Sequence, residues 1–324
     1  MLGIFSPSAP AAAWFPRRLE QAAMNAQTQL GLRTRYGDAA CMASGWVSAS
    51  ADLRAEDLHH LSRAPEVKGL VAAIGGHHTA QMFPYLDWDR LAGARKIVIG
   101  ASDAGLLPLA MYVQTGLVGI YGPTWVASWG EYPAMPEYTV EGIRRVLCTP
   151  AAPGLVSIAP KWTDEFIDWS TRDDQTRPRR WAANAGPVWL RRGSAEGILL
   201  GGRLESLEHL RGTEYWPDWH GALFFFELSE ELPSPARVDA ILGDYANMGV
   251  FDQISGVLVG RLYRYPAEER ETLFDVIRFW TAPRRLPVLA ECDFGHTDPV
   301  FPIPIGIRGR LDADGFHLLE EVVE

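Results

Sequence analysis

Lys96-Ile-Val-Ile-Gly-Ala-Ser-Asp103 carries a continuous apolar run, closed by glycine, into Leu106–Thr115, a stretch with helical spacing. An apolar run without alternation suits a strand covered on both faces, so it points to a parallel sheet flanked by helices. The same pattern recurs outward in both directions. Upstream, Gly69-Leu-Val-Ala-Ala-Ile74 closes on Gly75-Gly76, and Asp52–Leu61 reads as a helix behind the N-cap candidate Ser50. Arg17–Leu30 reads as another helix, and Leu2–Ser6 as a first strand running into a Pro-Ser-Ala-Pro loop. Downstream, Leu117–Tyr121 is a further strand and Tyr138–Leu147 a further helix. These alternations predict a doubly wound α/β domain with a parallel sheet over residues 1–150.

Cys148-Thr-Pro-Ala-Ala-Pro-Gly154 breaks the regularity. Residues 151–190 then read as a linker and a Trp- and Arg-rich loop, because Lys161–Trp189 has no clean period. Irregular segments of that length tend to be functional or mobile. Strand patterns return at Gly197–Gly202, Ala222–Phe226, Gly256–Gly260 and Pro287–Ala290. Between them lie a helix opened by Ser234-Pro235 and another over Glu268–Trp280, and the chain closes with a hairpin turning at Asp314-Gly315. Residues 191–324 are therefore expected to form a second, strand-rich α/β domain.

Composition agrees with two cores. The chain has 324 residues, against a typical domain of roughly 100–200. With 47% hydrophobic and 22% charged residues it is neither disordered nor fibrous. A formal charge of −10 opposes attraction to phosphate backbones and anionic lipid, so neither a nucleic-acid nor a membrane partner is expected. Three scattered cysteines exclude a disulfide scaffold and a structural zinc site, and the histidines lack metal-ligand spacing; no metal and no cofactor are expected. No signal peptide or 18-residue apolar span is legible, which reads as a cytoplasmic protein.

Three positions carry candidate chemistry. Ser102 stands at the strand-to-helix turn, where a hydroxyl is exposed and the next amide is free to face an oxyanion, although Ser-Asp after a strand is also an ordinary helix N-cap. His296 lies in Phe294-Gly-His-Thr-Asp298, a glycine-containing loop just past a strand, whereas His59 and His60 fall on a helix expected to be solvated. Glu227 ends the run Ala222–Phe226, where a carboxylate is either a surface group or the orienter of a histidine.

In order along the chain stand Ile4-Phe-Ser-Pro-Ser-Ala-Pro10, Ala73-Ile-Gly-Gly76, Ile97-Val-Ile-Gly-Ala-Ser-Asp103, Thr115-Gly-Leu-Val-Gly-Ile-Tyr-Gly-Pro123, Gly201-Gly-Arg-Leu-Glu-Ser-Leu207, Gly212-Thr-Glu-Tyr-Trp-Pro217, Phe226-Glu-Leu-Ser-Glu-Glu231 and Phe294-Gly-His-Thr-Asp-Pro299. On these segments the chain resembles the LD-carboxypeptidase family of serine peptidases along nearly its whole length, most closely the branch of microcin-immunity type. The resemblance implies a swivelling, barrel-like C-terminal domain and a homodimer. It implies a triad of Ser102 as nucleophile, His296 as base and Glu227 as its orienter, with an oxyanion hole from the backbone N–H of Asp103 and of the Gly75-Gly76 turn, Gly76 in particular.

Substrate contacts are expected at Gly75, His77, Ala101, Trp169 and Trp181. Two of these depart from the family pattern: Ala101 replaces an aromatic residue before the nucleophile, and His77-His78 replaces small or amide residues. In the microcin-immunity branch the loop over Trp162–Trp189 bears a tryptophan that stacks on a nucleobase, a part open to Trp169 or Trp181. Arg172, Arg177, Arg179 and Arg180 could then meet a phosphate or sulfamate. Expected partners are small-molecule or peptide substrates. The leading expectation is hydrolysis of an amide in a peptidyl- or aminoacyl-nucleotide-like compound. A muropeptide LD-carboxypeptidase of wall recycling and an acyltransferase of natural-product biosynthesis, with Ala101 making room for its acceptor, are the alternatives.

Overall fold

A computed structural model describes residues 1–323. Its first sheet has the order Ile303–Ile305, Gly119–Tyr121, Ile97–Gly100, Gly69–Ala72, Leu2–Phe5, Thr34–Tyr36. The five N-terminal strands are parallel. Leu2–Phe5 and Gly69–Ala72 are buried at every position, as continuous apolar runs require, and helices cover them. Pro16–Leu30 begins on a proline at its first turn and ends on left-handed Gly31, while Leu106–Thr115 ends on left-handed Gly116.

The second sheet has eight strands, in the order Gly154–Leu155, Gly315–Leu318, Arg308–Asp312, Ala195–Arg203, Ala222–Glu227, Gly256–Gly260, Val288–Cys292, Val188–Arg191. The four from Ala195–Arg203 to Val288–Cys292 are mutually parallel, and antiparallel strands flank them. Two helices, Pro235–Asn247 and Ala267–Thr281, complete the crossovers, the first capped by Ser234 accepting from the Arg237 N–H.

Three features depart from the sequence expectations. Ile303–Ile305 pairs antiparallel with Gly119–Tyr121 and so joins the first sheet from the far end of the chain. Its Ile-Pro-Ile sequence does not read as a strand, and the proline is accommodated because the strand lies at the sheet edge. His59 is buried, 4% exposed, and its Nε2 accepts from the Asp87 N–H at 3.0 Å, because helix Ala51–Arg63 turns that face inward. The irregular loop holds a short ladder, Lys161–Trp162 with Ala182–Ala183.

Every group of interest sits at or just past the carboxyl end of a parallel strand. Gly75 follows Gly69–Ala72, Ser102 follows Ile97–Gly100, and Tyr121 ends its own strand. Arg203 and Glu227 end neighbouring strands of the second sheet in register with each other, and His296 follows Val288–Cys292. Carboxyl ends of parallel strands are where α/β folds place ligand crevices. Here they border one cavity of about 800 Å³ whose wall takes Tyr121 from the first sheet and, from the loops past strands of the second, residues such as Tyr263 and His296. Among the described residues no helix is long and apolar enough to cross a membrane.

Candidate active site

Ser102 has φ +56, in the left-handed region that a serine seldom enters. A non-glycine residue held there costs about 1–3 kcal/mol and marks a turn that the surroundings enforce. Much of that enforcement comes from Asp103, which is fully buried. Its Oδ2 accepts from Thr79 Oγ1 (2.6 Å), the Thr79 N–H (3.0 Å) and the His78 N–H (3.1 Å), tying the serine turn to the Gly75–Thr79 turn. Ser8 Oγ also accepts from the His77 and His78 N–H groups, at 3.1 and 2.9 Å. The two turns are thereby brought so close that a Cβ on Gly75 would stand 2.9 Å from Ser102 Cβ and 3.1 Å from the Asp103 nitrogen. Only glycine leaves a gap beside the hydroxyl.

A chain of hydrogen bonds runs from the serine into the second sheet. The Ser102 N–H donates to the Tyr121 hydroxyl at 2.9 Å, and that hydroxyl donates to Glu227 Oε1 at 2.5 Å. Glu227 is fully buried, and its other oxygen, Oε2, lies 2.7 Å from His296 Nδ1. Both carboxylate oxygens are therefore satisfied, as a buried carboxylate requires. Burial raises the Tyr121 hydroxyl well above the ordinary phenol value, and the adjacent Glu227 charge raises it further, so it is a fixed donor. Gly295, at φ +105, lets the loop pass against Glu227, since a Cβ there would lie 3.0 Å from its Oε2.

The other ring nitrogen of His296 is occupied too. Nε2 lies 2.8 Å from Oε2 of Glu230, whose side chain is half exposed on the cavity wall. Desolvation works against the imidazolium, but the charge and hydrogen bond of Glu227, joined by those of Glu230, raise its pKa well above 6.5. Against its own desolvation, the His296 contact brings the Glu230 carboxyl down to about 2. Next in the chain, Glu231 pairs with His77 Nε2 at 2.9 Å, so His77 is held by a carboxylate.

The structure brings together most of the residues singled out from sequence. Ser102, Ala101, Gly75, Gly76, His296 and Trp169 all line the 800 Å³ cavity. Trp181 and His77 are not part of its wall, and Trp181 instead lies under the Arg179 guanidinium, 5.7 Å from its ring centre. Trp169 is half-buried, with the Arg18 guanidinium 4.4 Å over its ring and Phe15 edge-on at 5.3 Å. Three of the four arginines expected to be open to phosphate are already paired. Arg177 and Arg180 both hold Glu165, and Arg179 bridges Glu131 (2.9 Å) and Asp298 (2.8 Å). Loop arginines in an acidic chain find internal carboxylates before they find a ligand.

Sequence reasoning assigned no role to Tyr121, Arg203 or Glu230. The first ended an apolar strand, the second sat inside Gly201-Gly-Arg-Leu204, and the third was one of an acidic pair; none has a spacing signal of its own.

Profiles of known families match both halves: the LD-carboxypeptidase N-terminal domain over residues 2–122 and the LD-carboxypeptidase C-terminal domain over residues 196–311. A protein of Vibrio cholerae named as a carboxypeptidase is 31% identical over 97% of this chain and 92% of its own length. The microcin C7 self-immunity protein MccF of Escherichia coli is 28% identical over 98% of this chain and 92% of its own. Its structure in complex with glutamyl sulfamoyl guanosine superposes with a TM-score of 0.89, covering 100% of this chain and 96% of that one. A Bacillus subtilis protein named as a murein peptide carboxypeptidase is 26% identical over 96% of this chain and 88% of its own.

Proposed function

The chain belongs to the LD-carboxypeptidase family of serine peptidases, and on that premise we propose that it hydrolyses an amide bond in an aminoacyl- or peptidyl-nucleotide-like compound through a Ser102–His296–Glu227 triad. Serine is a weak nucleophile at its own pKa, so a neighbouring imidazole must take its proton during attack on the carbonyl. His296 takes that part at Nε2 and returns the proton to the leaving amine. Glu227 fixes the Nδ1–H tautomer and stabilises the imidazolium, while Tyr121 satisfies the second carboxylate oxygen and holds the serine backbone. The Asp103 and Gly76 N–H groups receive the oxyanion in the gap beside Gly75. An imidazolium cannot accept a proton, so turnover begins when substrate displaces Glu230 from Nε2 and the ring is neutral.

The observation that carries the substrate class is the single cavity of about 800 Å³ that holds both Ser102 and the aromatic wall of Trp169, Phe15 and Phe166. Bases stack on aromatic faces for about 1–3 kcal/mol, and a cavity of this size accommodates an amino acid joined to a nucleoside. The relative MccF, which shares the fold, holds a glutamyl sulfamoyl guanosine. The test is to incubate the purified protein and its Ser102→Ala variant with an aminoacyl sulfamoyl adenosine and with a muropeptide tetrapeptide, and to identify products by mass. Release of the amino acid from the first compound by the wild type alone is the expected result. Cleavage of the tetrapeptide alone would replace the nucleotide reading with wall recycling, and undiminished activity in the variant would remove the serine mechanism.

A further inference from the structure

Arg203 is the one group beside the nucleophile that the triad does not use. It ends strand Ala195–Arg203, in register with Glu227 across the parallel pair, and is 4% exposed. Among the described residues its guanidinium makes no ion pair, and its Nε is buried without a hydrogen-bond partner. Its one side-chain hydrogen bond runs from Nη1 to Ser102 Oγ, at 3.3 Å. Two other buried arginines are neutralised by carboxylates, Arg18 by Asp174 and Arg261 by Asp293, and a third, Arg54, spends its guanidinium on the Ala49 and His78 carbonyls and on Gln81, whereas Arg203 has neither kind of partner set. An unpaired buried cation is costly, and although the charge of Arg203 is felt by Glu205 and Glu230, among the described residues no carboxylate closes on it as an ion pair.

From this placement we infer that Arg203 is a further catalytic residue, donating from Nη1 to Ser102 Oγ so that the negative charge gathering on that oxygen as its proton leaves is met by a fixed cation. The inference rests on the serine mechanism proposed above. A donor on Oγ leaves the hydroxyl proton free to pass to His296 Nε2 once Glu230 is displaced from it, so donor and base do not compete for the same site on the oxygen. The missing carboxylate partner is then a requirement, because an anion paired with the guanidinium would oppose charge development on the serine. A 3.3 Å contact is long for a charge-assisted bond, and such contacts shorten as the acceptor becomes anionic.

The test reads the nucleophile directly, without a natural substrate. A neutral alkyl fluorophosphonate reacts at Ser102 by forming a P–O bond and breaking P–F; the serine proton passes to His296 and fluoride leaves. Its second-order labelling rate is measured from pH 5 to 10 for wild type, Arg203→Met, Arg203→Gln and Arg203→Lys, alongside thermal unfolding. The expected plateau rate falls about 10²–10³-fold in the two neutral variants, in the range set by loss of one donor to a developing charge, and is largely recovered by lysine. The acid limb from His296 persists in all four.

A folded neutral variant labelled within threefold of wild type overturns the inference. So does the pattern of unchanged labelling with lost turnover of a carboxylate-bearing substrate, which would make Arg203 a substrate-anion receptor. Failure of both neutral variants to fold also overturns it, because the cation would then be structural. Absence of labelling in the wild type itself strikes instead at the serine mechanism.

Discussion

Two carboxylates flank His296, and they act in the same direction: each hydrogen bond and each charge favours the imidazolium, against the desolvation that opposes it. The sign for stability follows. A raised folded pKa stabilises the protein below about pH 6.5, where the unfolded ring is also charged, and that contribution is lost as pH rises through the folded value. For activity the sign is opposite, since only the neutral ring is a base. Replacing Glu230 with Gln removes one of the two carboxylates, so the acid limb of kcat/KM should move to lower pH. A pH–rate profile with the limb unmoved, or moved upward, would show that Glu230 does not govern the base. Gly75→Ala puts a methyl 2.9 Å from Ser102 Cβ and 3.1 Å from the Asp103 nitrogen, beside the oxyanion position. Its kcat should fall about 10²–10³-fold, and because the clash is with atoms fixed to the serine turn, the unfolding temperature should fall as well. Equal kinetics in that variant would place the oxyanion elsewhere. Of these residues, Ser102, Glu227 and His296 were legible because strand-end positions and ordered motifs single them out. Glu230 was not, because nothing in Ser229-Glu-Glu231 says which carboxylate turns toward the cavity, and here Glu230 takes His296 while Glu231 takes His77.

At the scale of elements, strands and helices with a strong period declared themselves. Pro235–Asn247 starts where Ser234-Pro235 requires, and Leu106–Thr115 and Gly256–Gly260 match their apolar runs end to end. The edge strand Ile303–Ile305 was hidden, since its fit depends on a partner strand about 180 residues away and not on local pattern. The loop over residues 161–189 was legible as irregular, though its end already belongs to strand Val188–Arg191, but not in its contacts, because the pairing of Arg177, Arg179 and Arg180 with Glu165, Glu131 and Asp298 is tertiary. On the cavity wall the loop offers a ligand the ring of Trp169. Trp169→Ala should raise KM for an aminoacyl sulfamoyl nucleoside about 5- to 100-fold and leave kcat/KM for a truncated amide without the base unchanged, because stacking acts away from the scissile bond. Equal losses on both substrates, measured in parallel, would mean that the ring's contacts with Arg18 and Phe15 serve packing alone.

Across the whole molecule, the two sheets share one continuous hydrophobic cluster and are tied together by specific links. We propose that the chain divides near residue 150, as its composition suggests, yet Ile303–Ile305 returns to the first sheet and Tyr121 reaches into the second. Tyr121 stands at the junction of both facts. Its strand receives Ile303–Ile305 on one edge, and its hydroxyl joins the Ser102 N–H of the first sheet's turn to Glu227 of the second sheet. Removing the hydroxyl leaves the Ser102 N–H and Glu227 Oε1 without that partner in a buried setting, and each unsatisfied buried group costs about 1–3 kcal/mol. Tyr121→Phe preserves the ring and its edge-on packing at 5.7 Å from Phe225, so the loss isolates the hydroxyl. Calorimetry should show an unfolding temperature lower by about 5 °C, at roughly 2–4 °C per kcal/mol for a chain of this order of size. The same variant should lose kcat, because Glu227 no longer holds His296 from a fixed position and the serine turn is freed. Stability and turnover are therefore expected to fall together in this variant. A Tyr121→Phe protein with unchanged stability would mean that water satisfies both groups, and that the hydroxyl does not fasten the serine turn to the carboxylate it faces.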